Sequence, residues 1–290
     1  FFSPVKLRPV LPLTKHENGY VLNENEVRIS KKTPVPWCHI LSNPVFGTLV
    51  SNSSLGYTYA VNSRENKLTP WYNDIKTDNR GEMLILSANE EYYDLILGSE
   101  AVFSDNKAVY YGKTEHFNSV VSVSVSKTGF CKKISVQLEW LDNPCEAKIC
   151  FYTEPVLGVS RNFTRMITAE EQDKALVFKN PCNSDVKGYM AISSSEEVSS
   201  TTDREAVLSG KWEETSKSSR YNLCGALITP KKFFKNKVIS VEFYISFGFT
   251  KESALKMTSL FDDKLSEYEN SVKIETPDKS LNYMFNGWLE

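Results

Sequence analysis

The segment from Pro34 to Glu82 holds the side chains best suited to chemistry. Trp37, Tyr57, Tyr59, Trp71 and Tyr72 are interleaved there with Asn52, Asn62, Arg64, Glu65, Asn66, Asn73 and Asp74, and Gly47, Gly56, Pro70 and Gly81 punctuate the run. Sugars present apolar C–H faces that stack on aromatic rings, and hydroxyls that pair with amides, carboxylates and guanidinium groups. Aromatics interleaved with Asn, Arg and Glu on polar loops therefore suit a carbohydrate. The densest group is Asn62, Arg64, Glu65 and Asn66, with Trp71 nearby. Arg64 offers a planar fork able to hold two oxygens at once. Glu65 can orient that fork or accept from a hydroxyl, and Asn62 and Asn66 add paired donors and acceptors. The competing assignment is structural: Arg64 and Glu65 would brace the turn before Thr69-Pro70.

Other chemistries find less support. Glu90-Glu91, Glu170-Glu171, Glu196-Glu197 and Asp262-Asp263 are adjacent acids. A glycosidase needs two carboxyl groups flanking one bond, whereas neighbours on a strand point to opposite faces, so these pairs read as solvated surface. His16, His39 and His116 lie far apart with no ligand spacing, and no metal site is expected. No nucleophile elbow, phosphate loop or dinucleotide fingerprint is present. A net charge of −2 without a basic stripe argues against nucleic acid as a partner. No apolar run reaches the ~20 residues that span a bilayer, so no membrane contact is expected of this domain. The start, Phe1-Phe2-Ser3-Pro4, lacks the basic-then-apolar pattern of a signal peptide. The six cysteines have no C-x-x-C spacing and read as reduced thiols of a cytoplasmic protein.

Strands must carry these loops. Val121, Val123 and Val125 alternate with serines, and Ile134, Val136, Leu138 and Trp140 alternate with Lys133, Ser135, Gln137 and Glu139. Asn143-Pro144 marks a turn, after which Ala147, Ile149 and Phe151 resume the period of two. The three segments predict an antiparallel meander with one wet face. Ile239, Val241, Phe243, Ile245, Phe247 and Phe249 form a late apolar face that a second sheet must cover. After Phe249 the period becomes helical. Thr250 can cap a helix carrying Ala254, Met257, Phe261 and Leu265 to about Asn270. A second helix is predicted from Thr276-Pro277, with Leu281, Met284, Phe285 and Trp288 as its stripe.

Three stretches carry a family resemblance: Thr33–Val50, Leu55–Trp71 with Asn73-Asp74, and Gly81-Glu82. Within them, Asn62-Ser-Arg-Glu-Asn and Leu68-Thr-Pro-Trp71 are the specific part. Together they resemble glycoside hydrolase family 94, formerly glycosyltransferase family 36, and look most like its β-1,2-glucan branch. That family includes cellobiose phosphorylase, 1,2-β-oligoglucan phosphorylase and the carboxyl-terminal part of cyclic β-1,2-glucan synthase. The tail from Thr276-Pro-Asp278 to Trp288-Leu289 resembles the entry into the family's helical barrel.

The resemblance implies an all-β, antiparallel two-sheet supersandwich of the galactose-mutarotase-like kind over 1–249. It implies a helical linker over 250–275 and the first helix of an (α/α)6 barrel over 276–290. The implied function is the non-catalytic amino-terminal domain of an inverting β-1,2- or β-1,4-glucan phosphorylase or glucan synthase. Such a domain supports the barrel and lends loop residues to the sugar site or a dimer. The alternative is a self-standing carbohydrate-binding or scaffold module. In the family the catalytic aspartate lies on the barrel, so no catalytic residue is expected here; no cofactor is expected either, because inorganic phosphate, the full-length enzyme's co-substrate, is the nucleophile. The implied partners are a β-linked gluco-oligosaccharide, the barrel and a second copy of the chain. Asn62, Arg64, Glu65, Asn66 and Trp71 are the residues expected to face the sugar.

Overall fold

The computed structural model describes residues 3–22, 26–72, 74, 80–104, 106–141, 145–163, 165–213, 222–234, 238–262 and 273–288. Among these residues the strands form sheets of eleven, seven and three strands. The smallest is a meander of β1 (Cys38–Ser42), β2 (Phe46–Ser51) and β3 (Ser54–Ala60). It carries the polar loop on which the candidate site was placed. β4 (Glu82–Ala88) follows that loop and enters the seven-stranded sheet. The fold is an antiparallel supersandwich, with one parallel pair joining Arg8–Pro9 to Glu91–Asp94.

Side-chain alternation sets the faces. β5 (Phe117–Val125) and β6 (Cys131–Trp140) form an antiparallel hairpin in the eleven-stranded sheet. Val121, Val123, Ile134, Val136 and Leu138 are wholly buried, while Gln137 and Glu139 reach solvent. Each buried side chain of this size contributes about 1.5–3 kcal/mol. The third segment departs from the predicted meander. β7 (Cys145–Thr153) does not pair with β6; it lies between β4 and β8 (Gly225–Ile228) in the facing sheet. The second edge of β6 is taken by β9 (Val238–Gly248), from Cys131 opposite Ser246 to Glu139 opposite Val238. Only one strand can pair with an edge, so β7 crosses the core and covers it. Its Phe151 meets Phe243 of β9 at 5.2 Å between ring centres. The predicted turn at Asn143-Pro144 lies outside the described residues.

β9 shows the predicted face, with Val241, Phe243, Ile245 and Phe247 buried. Phe249 falls beyond the strand and is largely exposed, its ring edge-on to Phe130 and Phe247. Thr250 caps α1 (Lys251–Lys256) in a reciprocal box with Ser253, as its position predicted. That helix is shorter than expected. It buries Ala254 against Val177 and Ala191 and ends before Phe261, which turns back onto Tyr244 with the Lys133 ammonium 4.5 Å above its ring. Leu265 and Asn270 lie outside the described residues. The next helix, α2 (Lys279–Tyr283), which runs on into a π-helical turn over Met284–Trp288, is capped by Asp278 instead of Thr276. The Thr276 hydroxyl is engaged by Asn282 at 2.7 Å, so the carboxylate one residue past Pro277 receives the first amides. Leu281, Met284 and Phe285 are exposed.

Cys131, Cys150 and Cys224 are buried free thiols. Burial pushes the Cys131 thiol from 9.0 up to about 12, and drives the other two up as well. The folded chain therefore keeps these protons after the unfolded chain has released them. Their stabilisation is complete below pH 9 and is lost as pH rises towards 12. The loss is on the order of 1 kcal/mol per pH unit for each thiol. Melting temperature followed from pH 8 to 11 should fall, and Cys131→Ala should flatten the slope. A variant profile parallel to wild type would contradict the assignment.

Candidate carbohydrate-facing loop

The loop leaves β3 through a strained residue. Val61 has φ of 67°, in the left-handed region that a β-branched side chain rarely enters. Its amide is held by the Val45 carbonyl at 2.6 Å. Strain of this kind costs roughly 1–3 kcal/mol and concentrates where function over-determines the backbone. Asn62 then nucleates a single tight turn. Its Oδ1 accepts from the amides of Arg64 (2.8 Å) and Glu65 (2.9 Å), and its carbonyl accepts from the amide of Asn66 at 3.1 Å. With that turn closed, Arg64 stands on the crest, 81% exposed, and makes a 3.4 Å ion pair with Glu65.

The five predicted residues divide. Asn62, Arg64 and Glu65 share the exposed crest. Trp71 is half-buried and stacks on Tyr57 with ring centres 5.2 Å apart and planes 26° apart, with Tyr59 beside Tyr57. Asn66 sits inside: it has no exposed surface, its Nδ2 donates to Ala60 O at 3.0 Å, and its Oδ1 accepts from Asn183 Nδ2 at 3.3 Å. Its amide is spent on holding the loop, so it is a positioning residue. The loop is also tied to a distant segment by paired backbone bonds between Lys67 and Gly158, at 3.0 and 3.1 Å.

Beneath the loop lies a buried ion pair absent from the sequence-based site. Lys132 Nζ donates to Glu82 Oε2 (2.6 Å), Thr48 Oγ1 (2.9 Å) and the Leu55 carbonyl (2.9 Å). Glu82 Oε1 accepts from Thr58 (2.7 Å) and Thr69 (2.6 Å). Both charged side chains are 0% exposed. Burial pushes the Lys132 ammonium down from its ordinary value, and Glu82 pulls it back. The residues come from β2, β3, β4, β6 and the loop, so this network pins Thr69-Pro70 to all three sheets. One signal pointed to Lys132. It occupies the core phase of β6, two residues before Ile134, where alternation demands an apolar side chain.

A second polar centre surrounds Glu154. Its Oε1 accepts from Tyr152 Oη (2.6 Å) and Arg204 Nε (3.0 Å), and its Oε2 meets Arg161 Nε at 3.1 Å. Burial, then the Glu154 charge, drives the Tyr152 phenol well above its ordinary pKa. No spacing in the sequence joins the two arginines to Tyr152 and Glu154. Among the described residues no cluster of His, Cys, Asp and Glu could hold a metal ion. No helix among them is long and apolar enough to cross a membrane.

The strand arrangement defines the class of domain, an antiparallel supersandwich. Residues 24–218 match the family model described as glycosyl hydrolase 94, supersandwich domain, and the chain belongs to that family. Over 311 aligned positions it is 25% identical to the cyclic beta-(1,2)-glucan synthase NdvB of Rhizobium meliloti (strain 1021). The alignment covers 91% of this chain and 11% of that protein, so the chain spans about a tenth of its relative's length. Two solved structures share the fold. A chain described as a kojibiose phosphorylase from the human microbiome has a TM-score of 0.54 at 10% identity, with 92% of this chain and 38% of that one covered. A bacterial glucoamylase complexed with acarbose has a TM-score of 0.51 at 12% identity, with 80% and 34% covered.

Proposed function

We propose that this chain is the non-catalytic supersandwich of an inverting β-glucan phosphorylase or glucan synthase. On this reading the crest at Asn62, Arg64 and Glu65, with Trp71 beside it, faces the sugar site of the assembled enzyme or of a dimer. The observation that carries the reading is the family match, which spans the whole loop, joined to the glucan-synthase relative. The linkage is β-1,2 or β-1,4, phosphate is the co-substrate, and a helical barrel supplies the general acid. Residues 250–275 serve as the linker, and 276–290 begin that barrel, whose surface covers Leu281, Met284 and Phe285.

Two substitutions separate binding from bracing. Arg64 is exposed and its ion pair with Glu65 lies in solvent, where such a pair contributes about 0–1 kcal/mol. Arg64→Ala in the full-length enzyme should therefore leave the melting temperature nearly unchanged. It should lower kcat/KM by roughly 1.5–3 kcal/mol, the range for a hydrogen bond to a charged group. Asn66→Ala should do the reverse, lowering the melting temperature because a buried amide loses its partners. Unchanged kcat/KM for Arg64→Ala would retire the sugar-facing role. As a control, the 290-residue chain alone should release no sugar phosphate from β-1,2- or β-1,4-glucobiose with phosphate.

A further inference from the structure

The Glu154 centre opens on a cleft that Asn62, Arg64 and Glu65 do not line, although Tyr72 and Arg80 on its wall come from the same connection between β3 and β4. It has a volume of about 460 Å³, within the range that takes small molecules. Its floor is apolar, with Met83 and Ile85 of β4, Leu7 and Leu208, and its polar groups are Tyr72, Arg80, Tyr152, Glu154 and Arg204. Tyr72 is 59% exposed, although a cleft with an apolar floor surrounds it.

The charged groups that line this cleft are Arg80, Arg204 and Glu154, and the Arg80 charge also acts on the buried Asp94 carboxylate. Glu154 is the carboxylate of the lining, and it is shared by Arg204 and by Arg161 behind it. Arg161 is fully committed: its Nη groups donate to the Pro155 carbonyl (3.3 Å), Asn222 Oδ1 (2.8 Å) and the Leu223 carbonyl (2.9 Å). Arg204 is held at Nε by Glu154, which sets the plane of its guanidinium before any ligand arrives. Arg80 adds a further positive charge on the same wall. Two arginines converge on one opening, and the nearby carboxylate is already saturated by a phenol and two guanidinium groups. The site therefore offers donors and positive charge, and little capacity to accept.

We propose that this cleft binds an oxyanion carried on a sugar ring, with the anion on the Arg204 and Arg80 guanidinium groups and the ring against Tyr72. A preset guanidinium matches the two oxygens of a carboxylate or phosphate bidentately. An aromatic face beside an apolar floor matches the C–H face of a pyranose. The choice of a sugar as the body rests on the carbohydrate reading above; the choice of an anion rests on the cleft alone.

The test is calorimetric titration of the 290-residue chain with glucuronate, glucose 6-phosphate, glucose and inorganic phosphate. At least one of the two acidic sugars should bind roughly ten- to hundredfold more tightly than glucose. Which of them binds identifies carboxylate or phosphate as the anion. Arg204→Gln should abolish that preference, and Glu154 then still keeps Tyr152 and Arg161. Arg80→Gln and Tyr72→Ala, both at exposed positions, should weaken the acidic sugar severalfold without altering the melting temperature. Equal affinity for glucose and both acidic sugars overturns the proposal, as does inorganic phosphate binding as tightly as glucose 6-phosphate. Unchanged affinity in both arginine variants overturns it too. These outcomes concern acidic ligands only, so they fail independently of the Arg64 kinetics with neutral glucans.

Discussion

Lys132→Met is expected to destabilise the chain by about 3–5 kcal/mol, because it strands a carboxylate in the core. The ammonium makes three bonds in a shell with no solvent access, to Glu82, Thr48 and the Leu55 carbonyl. Removing it leaves Glu82 ionised beside two threonine hydroxyls, or forces a proton onto it. The pair itself need not be strongly stabilising, since desolvation of both ions offsets much of their attraction. The asymmetry lies in breaking it. Glu82→Gln added to Lys132→Met should therefore recover more than half of the loss, because no buried charge remains. Urea unfolding of wild type, single and double variants measures this directly through the midpoint at constant slope. A single variant within 1 kcal/mol of wild type would show that water reaches the site. A double variant no better than the single would show that packing, not charge, set the cost. Either result would remove Lys132 and Glu82 as the anchor of the Thr69-Pro70 loop.

Gly56→Ala should be nearly as damaging, at about 3 kcal/mol or more, from two additive causes. Gly56 has φ of +72°, where an L side chain costs roughly 1–2 kcal/mol. An added Cβ would lie 1.6 Å from the Leu49 carbonyl oxygen and 2.6 Å from its carbon. Both are backbone atoms, so the strand itself must move, and overpacking of that kind costs about 1–3 kcal/mol. The position coincides with the register shift between β2 and β3 at Leu49 and Ser51. Leu55, whose carbonyl receives the Lys132 ammonium, is the preceding residue. Gly158→Ala is the matched control: its φ is ordinary, nothing lies closer than 3.7 Å, and its effect should stay within about 0.5 kcal/mol. Thermal unfolding of Gly56→Ala indistinguishable from Gly158→Ala would show that the bulge can relax.

The aromatic and polar composition of the loop singled out one segment of the chain, but not which side chains leave its surface. Asn62 and Asn66 are the same residue type on the same loop. Asn66 went inside because the turn built on Asn62 directs it towards Ala60 and Asn183, the latter 117 positions away. A loop has no period to predict that. Thr69 and Glu82, quoted within the family motif, proved to be partners in the buried network, which accounts for both residue types without any contact to sugar.

Local and periodic features were determined by the sequence itself. The buried faces of β5, β6 and β9 follow from alternation, because a pleated strand has two faces and apolar side chains must share one. The cap at Thr250 follows too, because its partner Ser253 is three residues away. Choices among equivalent partners were left to the tertiary structure. β6 offered an open edge that β7 or β9 could have filled, and the cap of α2 could have been Thr276 or Asp278. Lys132 announced itself as a charge in a core position, yet its partner Glu82 lay fifty residues away on another sheet. Tyr152 and Glu154 are two residues apart, but no spacing joins them to Arg161 or to Arg204, fifty residues beyond Glu154. Pairing energies of this kind depend on distance in space, and only the folded chain assigns those distances.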